Sequence, residues 1–338
     1  MDLLSQAVDS ILASTHMDAV DALRAFFVFA TCTTLSIIAL PESLRSRFVA
    51  YGARATSTSS GAESETLPQP SNSSLGTRAL DYLASFRVPH SYFIQFYVAS
   101  ILSSIFWALQ LLFQGVAFQA IATRVSQEHL QNSMSIHQVM VSWVLMVIQG
   151  SRRLRECFDF SKPSSSNMWF VHWLLGLSFY LAASVAIWIE GTGAIQSHKL
   201  TMDDFKMSNA PSLRTFLCIP IFLVASGLQH DCHHYLFSLK KYSLPDHPLF
   251  RTIVCPHYTA ECIIYLSLAL IAAPPGEMVN KTLLSGLGFV VVNLGITASN
   301  SKDWYMQKFG ADSTRKAIYH RIYLSIYSPP ETSSHSPA

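Results

Sequence analysis

Seven stretches of this chain approach the length and apolarity needed to cross a lipid bilayer, and this restricts its fold more than any other feature. A bilayer core of about 30 Å takes roughly 20 mostly apolar residues as helix. Backbone N–H and C=O groups in lipid must be satisfied within the chain, and a helix does this segment by segment. The segments are Ala22–Leu40, stopped by Pro41; Tyr92–Ala122, long enough to tilt or continue past the membrane; the short Ile136–Gln149; Met168–Glu190, ending at Gly191; Leu213–Gln229, with Pro220 as a kink; His257–Ala273, closed by Pro274 and Pro275; and Leu283–Ala298, whose small residues permit close helix contact. Composition agrees, since 50% of the 338 residues are hydrophobic and 13% charged, against about 25% charged in a soluble domain.

Basic residues orient the segments, because cytoplasmic flanks are enriched in Lys and Arg. The loops after the first, third, fifth and seventh segments carry seventeen Lys and Arg, and the opposite loops carry five: Arg124, Lys199, Lys206, Arg214 and Lys281. The expected fold is an all-α integral membrane protein, a bundle of about seven transmembrane helices with a lumenal N-terminus and a cytosolic C-terminus. Residues 1–52 form an N-terminal region with the first helix, 53–77 a disordered Ser/Thr-rich cytosolic linker, 78–327 a six-helix membrane domain and 328–338 a disordered tail. The acidic N-terminus (Asp2, Asp9, Asp18) lacks the basic start of a cleaved signal peptide, so the first segment reads as a signal anchor. The sequons at Asn72 and Asn280 are expected to stay unmodified, the first on the cytosolic side and the second against the membrane. A net charge of +2 gives no case for nucleic acid, and six scattered cysteines form no CxxC pair.

Three polar clusters fall at cytosolic ends of these segments: Gln149–Glu156, Gln229–His234 with Lys240 and Lys241, and His257–Glu261. Ordinary basic flanks and snorkelling explain the arginines equally well. They explain His257 and Glu261 less well, because these lie four apart on one helix face, and a carboxylate just inside an apolar helix requires a partner or a ligand. His230, His233 and His234 form the HxxHH pattern of membrane di-iron enzymes, and imidazole suits iron. With no second histidine box, no metal is expected. No GxGxxG follows a strand, so a dinucleotide would have to bind between helices, its phosphates held by Lys and Arg.

Taken together these clusters resemble the steroid 5α-reductase family, in its polyprenol (polyprenal) reductase branch. The resemblance rests on Gln149–Cys157, His172–Tyr180, Gln229–His233 leading to Leu239–Lys241, Leu249–Phe250 leading to Cys255–Glu261, Trp304–Tyr305 and Arg315–Ala317. It implies a multi-pass protein of the endoplasmic reticulum membrane that binds NADPH within its bundle from the cytosol. Carried over by position, Arg153, Gln229, His233, Lys240, His257, Glu261 and Tyr305 are the implied cofactor contacts. His257 stands where the family usually has Asn, and Arg155 where this branch often has Tyr. The implied reaction saturates the α-isoprene double bond of a long-chain polyprenoid in dolichol synthesis for protein N-glycosylation.

Chemistry narrows this substrate. Hydride is nucleophilic, the double bond of an allylic alcohol is unpolarised, and the aldehyde makes its β-carbon electrophilic; polyprenal to dolichal is therefore the favoured step. A donor at the carbonyl oxygen would stabilise the developing enolate. Tyr180 and His172, eight apart on one helix face, are the candidate catalytic residues, although both residue types also anchor helices at interfaces. The expected partners are the polyprenoid substrate and membrane lipids around a monomer. The same chemistry serves a 3-oxo-Δ4 steroid, and a di-iron lipid hydroxylase and a non-catalytic membrane scaffold or transporter are the remaining readings.

Overall fold

A computed structural model of the chain describes residues 2–39, 82, 85–162, 166–198, 201, 204, 211–240 and 243–310. The expected linker (53–77) and tail (328–338), the sequon at Asn72 and the Arg315–Ala317 element lie outside these residues.

The described chain is mostly helical: α1 (Asp2–Thr15), α2 (Ala19–Ala39), α3 (Ile94–Leu112), α4 (Val116–Ala122), α5 (Gln127–Gln131), α6 (Ile136–Asp159), α7 (Phe170–Ala186), α8 (Thr192–Ser197), α9 (Leu213–Ser238), α10 (Pro248–Thr252), α11 (Pro256–Ile271) and α12 (Lys281–Phe309). Five helical stretches are long and apolar enough to cross a membrane: Ala19–Ala39, His90–Leu112, Phe170–Ser197, Leu213–Ser238 and Lys281–Phe309. This is a multi-pass membrane protein. The other two expected segments are also helices, but they are built differently. The last turns of α6 are polar, and α11 has 16 residues, about 24 Å at 1.5 Å per residue.

Boundaries follow local chemistry. Ser135 and Gln138 form a reciprocal capping box at the start of α6. The same Gln138 amide donates to the carbonyls of Ile271 (2.9 Å) and Ala273 (2.7 Å), so it ties the start of α6 to the end of α11. Ser212 caps α9, Asn280 caps α12, and Pro256 sits in the first turn of α11, where a missing N–H costs nothing. Pro220 lies inside α9 without ending it. The expected Tyr92–Ala122 span divides, because α3 stops at Leu112 and Gln114 takes a positive φ of 46°. The Gln110 side chain then accepts from Ala117 N at 3.0 Å and seats the start of α4. The α1 helix was not evident in the sequence.

Helix α9 packs along α11, α12 along both α11 and α2, and α3 along α6 and α7. The face of α3 turned to this core carries Tyr97, Ser100 and Ser104, while Leu102, Ile105 and Leu109 on the outside are about half exposed. Polar inside and apolar outside is the arrangement of a lipid-facing helix. Two short strands, absent from the all-α expectation, join the starts of α3 and α7. β1 (Arg87–Pro89) pairs antiparallel with β2 (Asn167–Trp169), Val88 opposite Met168. His90 N donates to Ser166 O (2.9 Å) and Phe170 N to Phe86 O (2.9 Å), extending the pairing, and Ser103 in the middle of α3 meets Ser184 near the end of α7 at 2.5 Å.

At the end of the bundle away from these strands lies a polar network the sequence did not reveal. Glu190, 4% exposed, accepts from Arg24 (2.9 Å), Thr282 N (2.9 Å) and Thr282 Oγ1 (2.5 Å). Asp18 accepts from Asp21 N (2.9 Å) and Ser126 N (2.8 Å) and meets His129 Nδ1 at 2.6 Å. Burial alone would raise the Asp18 pKa, but these hydrogen bonds outweigh it and hold the carboxyl below its usual value of 3.8. Asn280 is fully buried and its side-chain amide donates to Ala272 O at 3.1 Å.

Candidate active site

The three polar clusters converge at the end of the bundle that carries the two strands. Gln149, Arg152, Arg153 and Glu156 are spaced i, i+3, i+4, i+7 and share one face of α6. Ser226, Gln229, His230 and His233 repeat that spacing on α9, and His257, Glu261 and Tyr265 follow at four-residue steps on α11. The faces meet in one hydrogen-bonded cluster. Gln149 Nε2 donates to Gln229 Oε1 (3.0 Å) and Glu261 Oε2 (3.2 Å), and Gln229 Nε2 donates to Glu261 and to the His257 carbonyl (3.3 Å). Arg152 donates to Gln149 Oε1 (2.9 Å), to Gln229 and to Glu156.

Glu156 is the hub. It is 4% exposed, paired with both Arg152 and Arg153, and 2.8 Å from the Nδ1 atoms of His230 and His233. A buried carboxylate survives only when paired and hydrogen-bonded. Arg153 reaches further, donating to the Tyr97 hydroxyl (2.8 and 3.2 Å) with its guanidinium carbon 4.9 Å from the ring centre. The Tyr97 ring lies 5.4 Å from that of Tyr180.

These groups bound two adjoining spaces. An inner cavity of about 190 Å³ is walled by Tyr97, His172, Gly176 and Tyr180 on one side and by Gln229, Glu261 and Tyr265 on the other. A Cβ at Gly176 would meet the Phe96 ring at 2.6 Å, so a larger residue in this wall requires that ring to shift. A wider basin of about 940 Å³ is lined by Glu156, Phe160, Lys162 and Phe237. Phe93, Arg153 and His233 line both spaces and stand between them.

Of the residues singled out from sequence, Tyr180, His172, Arg153, Gln229, His233 and Glu261 line the inner cavity. His257 lies just behind, its ring 5.3 Å from that of His233. Lys240 and Tyr305 line neither space. Lys240 is exposed past the end of α9, and Lys162 stands at the basin instead, bonded to Leu239 O at 3.1 Å. The Tyr305 ring packs against Trp304 (5.3 Å) and Phe309 (6.3 Å) near the end of α12. Tyr97 and the role of Glu156 as a hub escaped sequence reasoning. The signal for Tyr97 was the polar stripe Tyr97, Ser100 and Ser104 in an otherwise apolar helix.

The HxxHH pattern does not assemble a metal cage. His230 and His233 both turn to Glu156, and the His234 ring packs 5.7 Å from Phe160. Among the described residues, the one group of His, Cys, Asp or Glu close enough to share a cation is Asp18, Asp21 and His129, at the opposite end.

Comparison with known proteins bears on this arrangement. The profile of the family described as 3-oxo-5-alpha-steroid 4-dehydrogenase matches residues 175–323, which include Tyr180, Gln229, His233, His257, Glu261 and Tyr305. Polyprenal reductase 1 of Oryza sativa subsp. indica is 27% identical over 291 residues, 72% of this chain and 80% of the rice protein. Residues 175–323 are thus similar to the steroid 5α-reductase family, and the longer matches are to polyprenal reductases. Polyprenal reductase 1 of Arabidopsis thaliana is 28% identical over 274 residues (70% and 82%), and the polyprenal reductase of Saccharomyces cerevisiae 30% over 169 residues (50% and 58%). These similarities support an oxidoreductase acting on a CH–CH group. Arg153 and His172 precede the matched profile, and the cavity unites them with residues inside it.

Proposed function

We propose that this protein is an NADPH-dependent polyprenal reductase of the endoplasmic reticulum membrane. It saturates the α-isoprene double bond of polyprenal to give dolichal, in dolichol synthesis for protein N-glycosylation. The observation that carries this is an inner cavity, enclosed by apolar helices and lined by Tyr180, Tyr97, Gln229 and Glu261, that shares Arg153 and His233 with an adjoining basic, aromatic-walled basin. We place seven spans, α6 and α11 included, with the N-terminus lumenal, so that the basin faces the cytosol.

The donor set suits the cofactor. Phosphates match the guanidinium of Arg153 and the ammonium of Lys162. The carboxamide of a nicotinamide matches the Gln229–Glu261 pair, which offers both an amide and a carboxylate. Arg152 Nε and His257 Nδ1 are buried there with no hydrogen-bond partner in the protein, a state that natural interiors rarely leave unexplained. The bound cofactor supplies the hydride.

The chain's own residues do the rest. Tyr180, backed by Tyr97 and the charge of Arg153, donates a hydrogen bond to the substrate carbonyl oxygen as the β-carbon accepts hydride and the α-carbon a proton. One such donor contributes about 3–4 kcal/mol to a developing oxyanion. His172 orients the aldehyde from the same face of α7. The apolar shell around the cavity excludes water from the reacting carbons.

The test is NADPH oxidation by detergent-purified protein, offered polyprenal, polyprenol and a 3-oxo-Δ4 steroid in parallel, with Glu261→Gln as control. Turnover on polyprenal, weakened in the variant, supports the proposal. Turnover on the steroid alone keeps the site and replaces the substrate; absence of turnover with absence of NADPH binding discards both.

A further inference from the structure

The inner cavity is too small for a long prenoid. Pockets that enclose drug-sized ligands run to roughly 300–1,000 Å³, and this one is about 190 Å³. A reducible head fits, and the remainder of the chain must leave. The basin is an unfavourable way out for hydrocarbon, since Arg153, Glu156, Lys162 and His233 are among its lining. Burying an apolar chain against such groups would strip them of water without replacing their hydrogen bonds.

A second way out is present. Between α11 and α12 runs a groove of about 570 Å³, lined by Val254, Cys262, Val291, Gly295 and Ala298. Tyr258 and Leu294 line both the groove and the inner cavity. Its wall on α12 extends from Val291 to Lys302, about 16 Å of helix at 1.5 Å per residue. Most of that length falls within the apolar part of a helix able to cross a membrane, with Lys302 near its polar end. The groove is therefore apolar at bilayer depth and open at its side. Gly295 is exposed, and a Cβ there would meet nothing within 4 Å. The room in this wall is left by an absent side chain.

We propose that the groove between α11 and α12 is the seat of the prenyl tail, which passes from the reactive head between Tyr258 and Leu294 and out beside Gly295 into the bilayer. This deepens the reductase reading and rests on it for the identity of the head. The tail ranks substrates by length, because each isoprene laid along Val291 and Ala298 leaves a lipid or aqueous surround for a fitted wall. A short enal gains nothing from the groove.

The experiment fills the groove without touching the cavity. Gly295→Phe places a ring in open space on the groove wall, and Gly227→Phe, at an exposed and equally open glycine of α9, controls for an added aromatic on the lipid face. Full-length protein in nanodiscs is given a long-chain polyprenal and its two-isoprene analogue, with NADPH. Gly295→Phe is expected to raise KM for the long substrate about 10-fold, equivalent to about 1.4 kcal/mol, and to leave the short one unchanged, while Gly227→Phe leaves both unchanged. Equal effects on both substrates, or no effect on either, overturn the proposal. A polyprenol carrying a diazirine a few isoprenes from its head gives a readout independent of turnover. Crosslinks within 253–262 and 291–302 support the groove, and crosslinks elsewhere or none overturn it. Wild-type protein that reduces neither enal but crosslinks in the groove would overturn the reductase reading alone.

Discussion

The two ends of the bundle hold similar groups to different purposes. At one end Glu190 takes three hydrogen bonds from Arg24 and Thr282, and Asp18 takes its own from the start of α2 and from Ser126, so that the carboxylates join helix ends to one another. At the other end Glu156 is shared among two arginines and two histidines beside a cavity, and Arg152 Nε and His257 Nδ1 are left without partners. Both ion pairs border cavities, Arg24–Glu190 one of about 250 Å³. Charge content does not separate the two ends; what differs is that the unpartnered Arg152 Nε and His257 Nδ1 belong to the ionisable cluster itself at the Glu156 end.

Substitutions at the two ends should therefore divide stability from activity. The largest effect is expected from Glu190→Ala, which leaves Arg24 with the more exposed Asp21 and takes the acceptor from the buried Thr282 N–H, and costs about 3–5 kcal/mol of stability. Thermal unfolding of purified protein would show it, with kcat of the surviving folded fraction unchanged; a large loss of kcat in that fraction would break the comparison. Next comes Tyr180→Phe, expected to lower kcat about 10²–10³-fold, or roughly 2.7–4 kcal/mol, with cofactor affinity and melting temperature unmoved. Unchanged turnover would remove Tyr180 from the mechanism. Glu261→Gln keeps the shape and loses the charge. Its NADPH affinity, read by fluorescence titration, should fall about 10-fold, near 1.4 kcal/mol, while the fold is retained.

The smallest effect concerns pH at the Glu190 end. The folded-state pKa of Asp18 is depressed, so its contribution is complete above the ordinary value of 3.8 and is lost as pH falls through the lower folded value. Asp18→Asn should remove that acid sensitivity and lower the melting temperature slightly at neutral pH, consistent with a cap worth about 1 kcal/mol. A melting curve whose acid limb is identical in both proteins would assign that limb to other carboxylates.

Much of this was legible in the sequence because it is local. Apolar runs marked the helices, Pro274 and Pro275 the stop of α11, and the i, i+3, i+4 repeats at Gln149–Glu156 and Gln229–His233 presented the faces that the fold brings together. What was missed depends on distant pairing. Arg24 meets Thr282 across 258 positions, and no local pattern announces that. Tyr97 was hidden in a segment whose average is apolar, because burial in a membrane bundle is decided by which side of the helix a residue occupies. Lys240 was selected for its neighbours in sequence, and the turn after α9 leaves it exposed while Lys162, from another loop, reaches the basin. The α3–α4 break was punctuated by Gly115, and a run of apolar residues on both sides concealed it.

The short ladder between β1 and β2 has a mechanical consequence. It fastens the beginnings of α3 and α7, and the Ser103–Ser184 contact fastens them again farther along. The wall that carries Tyr97 and the wall that carries Tyr180 are thus riveted at two points, like a door frame. A frame does not swing, so the distance between those hydroxyls is held while cargo is exchanged. Whatever leaf opens to admit a long guest must hang on the far side, where no strand crosses from α11 to α12.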